Sequence, residues 1–194
     1  MSQLGRGVRS SCWSAVALVA LAGCLDNQLA PDDDPKNVGA ASNFIALQSD
    51  FRDYEDWMKF DTEVMGEHAG TVGTITEYLN QLPEMGSDDF PVGTMIVKTV
   101  QPEAGPAPAI HAMVKRGGAF NKTGALGWEY FELAKNDKGT PVIVWRGQKP
   151  PTGEKYKNLL MPNSNMIEAD CNGCHVVSKN DAVLSEVLQL SALE

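Results

Sequence analysis

The feature that most constrains this chain is Cys171-Asn172-Gly173-Cys174-His175, close to its C-terminal end. Two thiols three positions apart, with an imidazole directly after the second, form the attachment pattern for a c-type haem. Cysteines held on one turn can each add across a vinyl group of the haem. The adjacent histidine then reaches the iron and leaves the opposite face for a second ligand or a substrate. Three other readings compete: a redox dithiol, half of a zinc site, and a structural disulfide. A zinc site needs two more Cys or His at short spacing, and the other histidines, His68 and His111, are isolated in the sequence. A thioredoxin-like dithiol belongs on a βαβ pattern near the start of a domain, not at its end. Haem attachment is the reading that the residues favour.

The N-terminus agrees with it. Residues 1–23 begin with Arg6 and Arg9 and no acid, then run through the apolar stretch Ala15 to Leu21. That is an export signal, too short to anchor a chain across a bilayer. It ends in Leu21-Ala22-Gly23-Cys24, which resembles the bacterial lipobox, so Cys24 is the expected lipidation site. The competing reading is an ordinary signal peptide with a chance cysteine. The cysteines are then all assigned: Cys12 leaves with the signal, Cys24 takes lipid, and Cys171 and Cys174 take haem. The expected location is the bacterial cell envelope, facing the periplasm. Leu25 after the lipidated cysteine, in place of Asp, favours the outer over the inner membrane.

Losing Arg6 and Arg9 with the signal takes the 16 Lys+Arg down to 14 against 25 Asp+Glu, a net charge of −11. A surface of that sign does not suit nucleic acid, whose phosphates need cations. It suits a basic electron carrier, though a solvated acidic surface is the commoner meaning. Residues 24–42, with Pro31, three successive aspartates, Pro35 and Gly39-Ala40-Ala41-Ser42, have almost nothing to bury and read as a disordered tether. The folded domain is then 43–194.

Its first expected element is a helix over 50–60, with Phe51, Tyr54 and Met58 on one face and Asp50 as N-cap. The period then changes to 2. Strands are expected over 70–79, 94–100, 109–116, 127–133 and 141–145, separated by turn and proline-rich segments without helical crossovers. Such strands form an antiparallel sheet. A polar loop over 147–163 leads to a helix, capped near Asn163 to Asn165, that carries the haem motif. A last amphipathic helix is expected over 181–190. The fold class is therefore α+β: mainly antiparallel sheet, with an N-terminal helix and a C-terminal haem-carrying helix.

This order separates the chain from the commoner c-type cytochromes. Small electron-transfer cytochromes are helical and take a methionine ligand downstream of the motif, and no methionine follows His175. Cytochromes c′ carry the motif near the C-terminus, but on a four-helix bundle. The residues Phe90-Pro91-Val92-Gly93-Thr94 leading to Val97-Lys98, Met113-Val114-Lys115-Arg116, Gly127-Trp128-Glu129-Tyr130, and Cys171 to His175 followed by Lys179 and Asp181 resemble another family. It is cytochrome P-460 with its relative cytochrome c′-β, and the likeness runs from about Phe51 to Leu188. The resemblance implies one covalent haem c, an antiparallel-sheet domain and a homodimer. It also implies one of two activities, beside which a plain electron carrier with a strong sixth ligand stays open. Cytochrome P-460 oxidises hydroxylamine, passing electrons to a soluble carrier, whereas the c′-β branch binds nitric oxide and other gases. In the former a lysine is bonded to a meso carbon of the haem, and Lys98 matches that lysine. The chain departs from the pattern at Ile75, where an arginine precedes the strand tyrosine (here Tyr78), and at His111, which takes the place of a pocket glutamate.

Alternation puts Lys98 on one strand face with Ile96 and Val100. On pattern alone it is either an edge residue that keeps an apolar face soluble or a residue pointing into a pocket. The pocket reading makes its amine desolvated, neutral and nucleophilic. His111 is the candidate proton acceptor for hydroxylamine oxidation, because imidazole titrates in the useful range; the alternative is an exposed strand histidine. Glu129 and Glu132 alternate, so at most one points inward. His68, in a Gly-rich turn, receives no role. Trp128, Tyr130, Phe131 and Trp145 read as core around the haem, and Met113, Met161 and Met166 as core filling.

Overall fold

The computed structural model describes residues 43–105, 107–151 and 170–193. The signal, Cys24, the tether, Met161, Met166 and the cap expected near Asn163 to Asn165 lie outside the described residues.

Six strands form one antiparallel sheet in which each strand pairs with the next in sequence: β1 Met58–His68, β2 Thr71–Leu79, β3 Met95–Gln101, β4 Ala109–Lys115, β5 Trp128–Lys135 and β6 Pro141–Gly147. The five expected strands are all present. The sixth, β1, occupies sequence where the helical period of 50–60 ends. Met58 and Phe60 alternate with Lys59 and Asp61, and this alternation feeds a hairpin whose two-residue turn, Ala69-Gly70, has φ of 50° and 80°. Positive φ at both central residues gives the turn twist that matches a hairpin.

The N-terminal segment is not the α-helix that periodicity predicts. It makes two single 3-10 turns, Gln48–Phe51 and Tyr54–Asp56. Asp53 stands between them in the left-handed region, at φ 58°, which ends the first turn. Asp50 does serve the start of the segment: its carboxylate accepts the Leu47 N–H at 2.7 Å. The helical spacing of Phe51 and Tyr54 thus reports which side of the segment is buried, not its length.

The sheet is covered on both faces. On one, Phe51, Tyr54 and Ala46 of the N-terminal segment pack against Tyr78, Val97, Ala112 and Phe131; the Phe51 and Phe131 rings lie 5.1 Å apart. Phe131 therefore belongs to this core, on the face opposite the Cys-Cys-His motif, contrary to the sequence reading. On the other face, the C-terminal segment lays Ala182, Val183 and Leu188 over Leu79, Ile96, Met113, Trp128 and Tyr130. Here α1, Cys171–His175, is the one α-helix among the described residues. The helix expected over 181–190 is absent. Asp181 and Ala182 both have positive φ, and Asn180 fixes an irregular path instead. Its Nδ2 donates to the Leu188 carbonyl at 2.8 Å, and its Oδ1 accepts the Leu190 N–H at 2.9 Å. Of Val183, Leu184, Val187 and Leu188, the residues that such a helix would turn inward, Val183 and Leu188 are buried by loop geometry, whereas Leu184 is exposed.

Candidate functional site around α1 and the facing sheet row

Helix α1 is a single turn, too short to stand on its own propensity, and its position comes from side-chain hydrogen bonds. Asp170 caps it, accepting the Gly173 N–H at 2.8 Å. Asn172 docks it onto the loop between β4 and β5. Its Oδ1 accepts from Asn121 Nδ2 at 2.7 Å and from the Ala125 N–H at 3.2 Å, and its Nδ2 donates to Asn121 Oδ1 at 2.9 Å. Gly124 is required beneath that amide, because a Cβ there would run into the Asn172 side chain. The two thiols are left on one turn, unlinked. Burial pushes the Cys171 thiol up to about 12, and burial likewise raises Cys174. That is the reverse of a reactive dithiol, whose thiolate is favoured, so the redox reading loses support.

His175 is held by its own turn. Nδ1 lies 2.8 Å from the Ala182 carbonyl, which can only accept, so Nδ1 carries the proton and Nε2 keeps its lone pair. Burial pushes this imidazole down to about 4, against the pull of that hydrogen bond. A neutral histidine with Nδ1 tied to a carbonyl is a pre-oriented metal ligand.

Register places a polar row beneath this helix. Phe60, Glu77, Lys98, His111, Glu132 and Trp145 stand opposite one another across all six strands. Lys98 therefore belongs to an interior strand, and the edge reading fails. Its amine is not left among apolar groups either: Nζ lies 2.8 Å from Glu77 Oε1 and donates to the Leu184 carbonyl at 3.1 Å. The Glu77 carboxylate, 2% exposed, also accepts from Ser185 Oγ. Glu132 accepts from Trp145 Nε1 at 2.6 Å. Glu129 points to the opposite face, where Arg146 grips both of its oxygens at 2.8 and 2.6 Å, so of the two glutamates only Glu132 faces α1.

The three histidines, isolated in sequence, converge here. The His68 ring centroid is 4.9 Å from that of His111 and 6.4 Å from that of His175. Burial lowers His68 well below its usual value and takes His111 down to about 4. His111 is thus a neutral but weakly basic imidazole, not one titrating near neutrality. The sequence reading missed His68 and Glu77. The signal for His68 was the Ala69-Gly70 hairpin turn, which makes it the last residue of a strand facing the same way as Lys98. Nothing in the sequence marked Glu77 beyond its strand phase.

Two buried polar atoms beside His175 have no hydrogen-bond partner among the described residues: His68 Nδ1 and Tyr130 Oη. The Tyr130 ring lies 5.1 Å from that of His175. Buried polar groups are normally paired, and Arg116 Nε and Trp128 Nε1 are likewise without a partner among the described residues. Among the described residues no three His, Cys, Asp or Glu side chains converge as a metal-ion site. The donor set is instead two thiols and one imidazole on a turn, which suits a covalently attached metal macrocycle. No family model, curated protein or solved structure matches the chain. No helix among the described residues is long and apolar enough to cross a membrane.

Proposed function

We propose that the protein is a mono-haem c-type cytochrome of the cytochrome P-460 kind that binds and oxidises hydroxylamine. The observation that carries the reading is the geometry of His175. Its Nδ1 is spent on the Ala182 carbonyl, so Nε2 is free to ligate, and the two thiols sit on the turn it terminates. Cys171 and Cys174 would bond the haem and His175 would hold its iron. When bound, haem supplies an iron that takes electrons from a nitrogen ligand. The chain's own residues do the rest. His111, neutral at the pH of the periplasm, accepts a proton as hydroxylamine loses protons with its electrons. Lys98 lies two strand positions from Ile96 on the same face and supplies the amine that the family bonds to its haem. The electrons leave to a soluble carrier. Lipid on Cys24 would hold the homodimeric domain at the envelope membrane.

A second reading has its own observation. The Lys98 amine is committed to Glu77 and Leu184, which favours a nitric oxide binder of the c′-β kind that turns nothing over. The two are separated by the Lys98 peptide. In the enzyme, a tryptic digest joins it to the Cys171–Cys174 peptide through the haem, and the ferrous Soret band is broad and far to the red. Lys98→Leu then restores an ordinary c-type spectrum, abolishes hydroxylamine oxidation and spares nitric oxide binding. A free Lys98 peptide with an ordinary spectrum assigns the gas-binding role instead.

A further inference from the structure

The segment after α1 holds a backbone conformation that its residues do not favour. Asp181 and Ala182 lie in the left-handed region, at φ 46° and 62°. There a Cβ crowds the following carbonyl. Two such residues in succession persist only where the surroundings hold them. The holding groups are specific. Asp181 Oδ1 accepts from Lys115 Nζ at 2.5 Å, and Oδ2 accepts from the Phe90 N–H at 2.9 Å. Lys115 also donates to the Leu126 carbonyl at 3.3 Å and lies over the Trp128 ring, 5.1 Å from its centroid. Both side chains of the pair are nearly shut off from solvent, at 11% and 8% exposure. A buried ion pair gives little net stability over an apolar pair of the same shape, so stability alone does not explain it. The next carbonyl in the chain, that of Ala182, is the one that receives His175 Nδ1.

We propose that the buried Lys115–Asp181 pair is a positioning device for His175. It clamps residues 181–182 in the left-handed turn and so aims the Ala182 carbonyl at Nδ1. The electronic consequence rests on the reading of His175 as a haem-iron ligand. A hydrogen bond given by Nδ1 makes Nε2 a stronger donor. Losing it weakens the bond to iron and raises the reduction potential. A pure field effect behaves differently. Removing the Asp181 charge raises the potential, whereas removing the Lys115 charge lowers it.

The test uses the full-length holoprotein and three variants: Asp181→Asn, Lys115→Met, and the two together. Positioning predicts an upward shift in potential for both single variants, with a lower ferrous iron–histidine stretching frequency in each. Shifts of opposite sign overturn it, because they show the pair acting through its field alone. Unchanged potentials overturn it as well. Where a single variant does not fold, the double variant decides. It leaves no unpaired buried charge, and the two field effects oppose each other. A raised potential with a lowered stretch supports the clamp, and parental values refute it. Should the purified chain carry no haem, the reading of His175 as an iron ligand fails. The clamp is then read by nitrogen NMR of the intact chain. It predicts a fixed Nδ1–H tautomer at His175 and a tautomer mixture in the variants; a fixed tautomer in all of them overturns it.

Discussion

Lys98 and Glu77 form a buried pair, and its energetics follow from the two environments. The Glu77 side chain is 2% exposed and that of Lys98 15%. Lys98→Met leaves a carboxylate with no cation, although Ser185 still donates to it. Breaking a buried pair on one side costs about 3–5 kcal/mol, and the deeper group sets this variant at the upper end. Glu77→Leu leaves an ammonium that keeps the Leu184 carbonyl and some water, so its cost falls at the lower end of that range. The double variant, Glu77→Leu with Lys98→Met, removes both charges and is expected within about 1 kcal/mol of the parent, because apolar replacement of a buried pair is often neutral. Urea unfolding of the four proteins gives a coupling energy directly. A double variant whose loss equals the sum of the singles refutes the pairing and leaves Lys98 free for other chemistry. Strong coupling means that Lys98 must leave a partner before it can bond anything else.

Other expectations are equally specific. Asn172→Ala removes the three hydrogen bonds that dock α1 on the loop between β4 and β5. It also leaves the Oδ1 of the buried Asn121 without its partner, while Nδ2 keeps the Trp128 carbonyl, so it should lower stability by about 2–3 kcal/mol and reduce haem incorporation; a parental melting temperature would contradict this. His111 titrates at about 4 in the folded chain because burial disfavours its cation. In the Cys171→Ala, Cys174→Ala protein, stability should therefore be full above the unfolded value of about 6.5 and decline as pH falls to about 4, by about 3 kcal/mol for this one group. His111→Phe should make that decline shallower, leaving the part that the buried His68 and His175 contribute, and an unaltered pH profile would show the group to be solvated. Cys24→Ser should leave unprocessed precursor in the membrane fraction, whereas normal processing to a soluble protein would show that an ordinary signal peptidase cuts the chain.

The sheet was legible because its strands are rich in β-branched residues. Thr71 to Leu79 and Met95 to Gln101 are dense in β-branched residues, and turn residues separate them. The N-terminal segment was misread because Phe51, Tyr54 and Met58 satisfy a helical period by accident of two turns and a strand start. A left-handed Asp53 leaves no mark in composition. The C-terminal segment failed for a related reason. Val183, Leu184, Val187 and Leu188 have helical spacing, but Asn180 and Ser185 bind the backbone more favourably in an irregular path. Within the site, the placement of Cys171, Cys174 and His175 on one turn was readable because their spacing is local. Strand phase grouped Lys98 with Ile96 and Val100, whereas its pairing with His111 came only from the register. The true partners of both were not legible: Glu77 opposite Lys98, and His68 against His111, depend on the register between strands, which no single strand encodes.

The central claim is that Cys171 and Cys174 carry haem. It is tested most directly by mass spectrometry of a tryptic digest, after the full-length protein has been exported in a host able to attach c-type haem and then alkylated under denaturing conditions. The account predicts one haem bonded to the peptide that holds both cysteines, with neither thiol alkylated. A peptide that carries no haem and has both cysteines alkylated would contradict it.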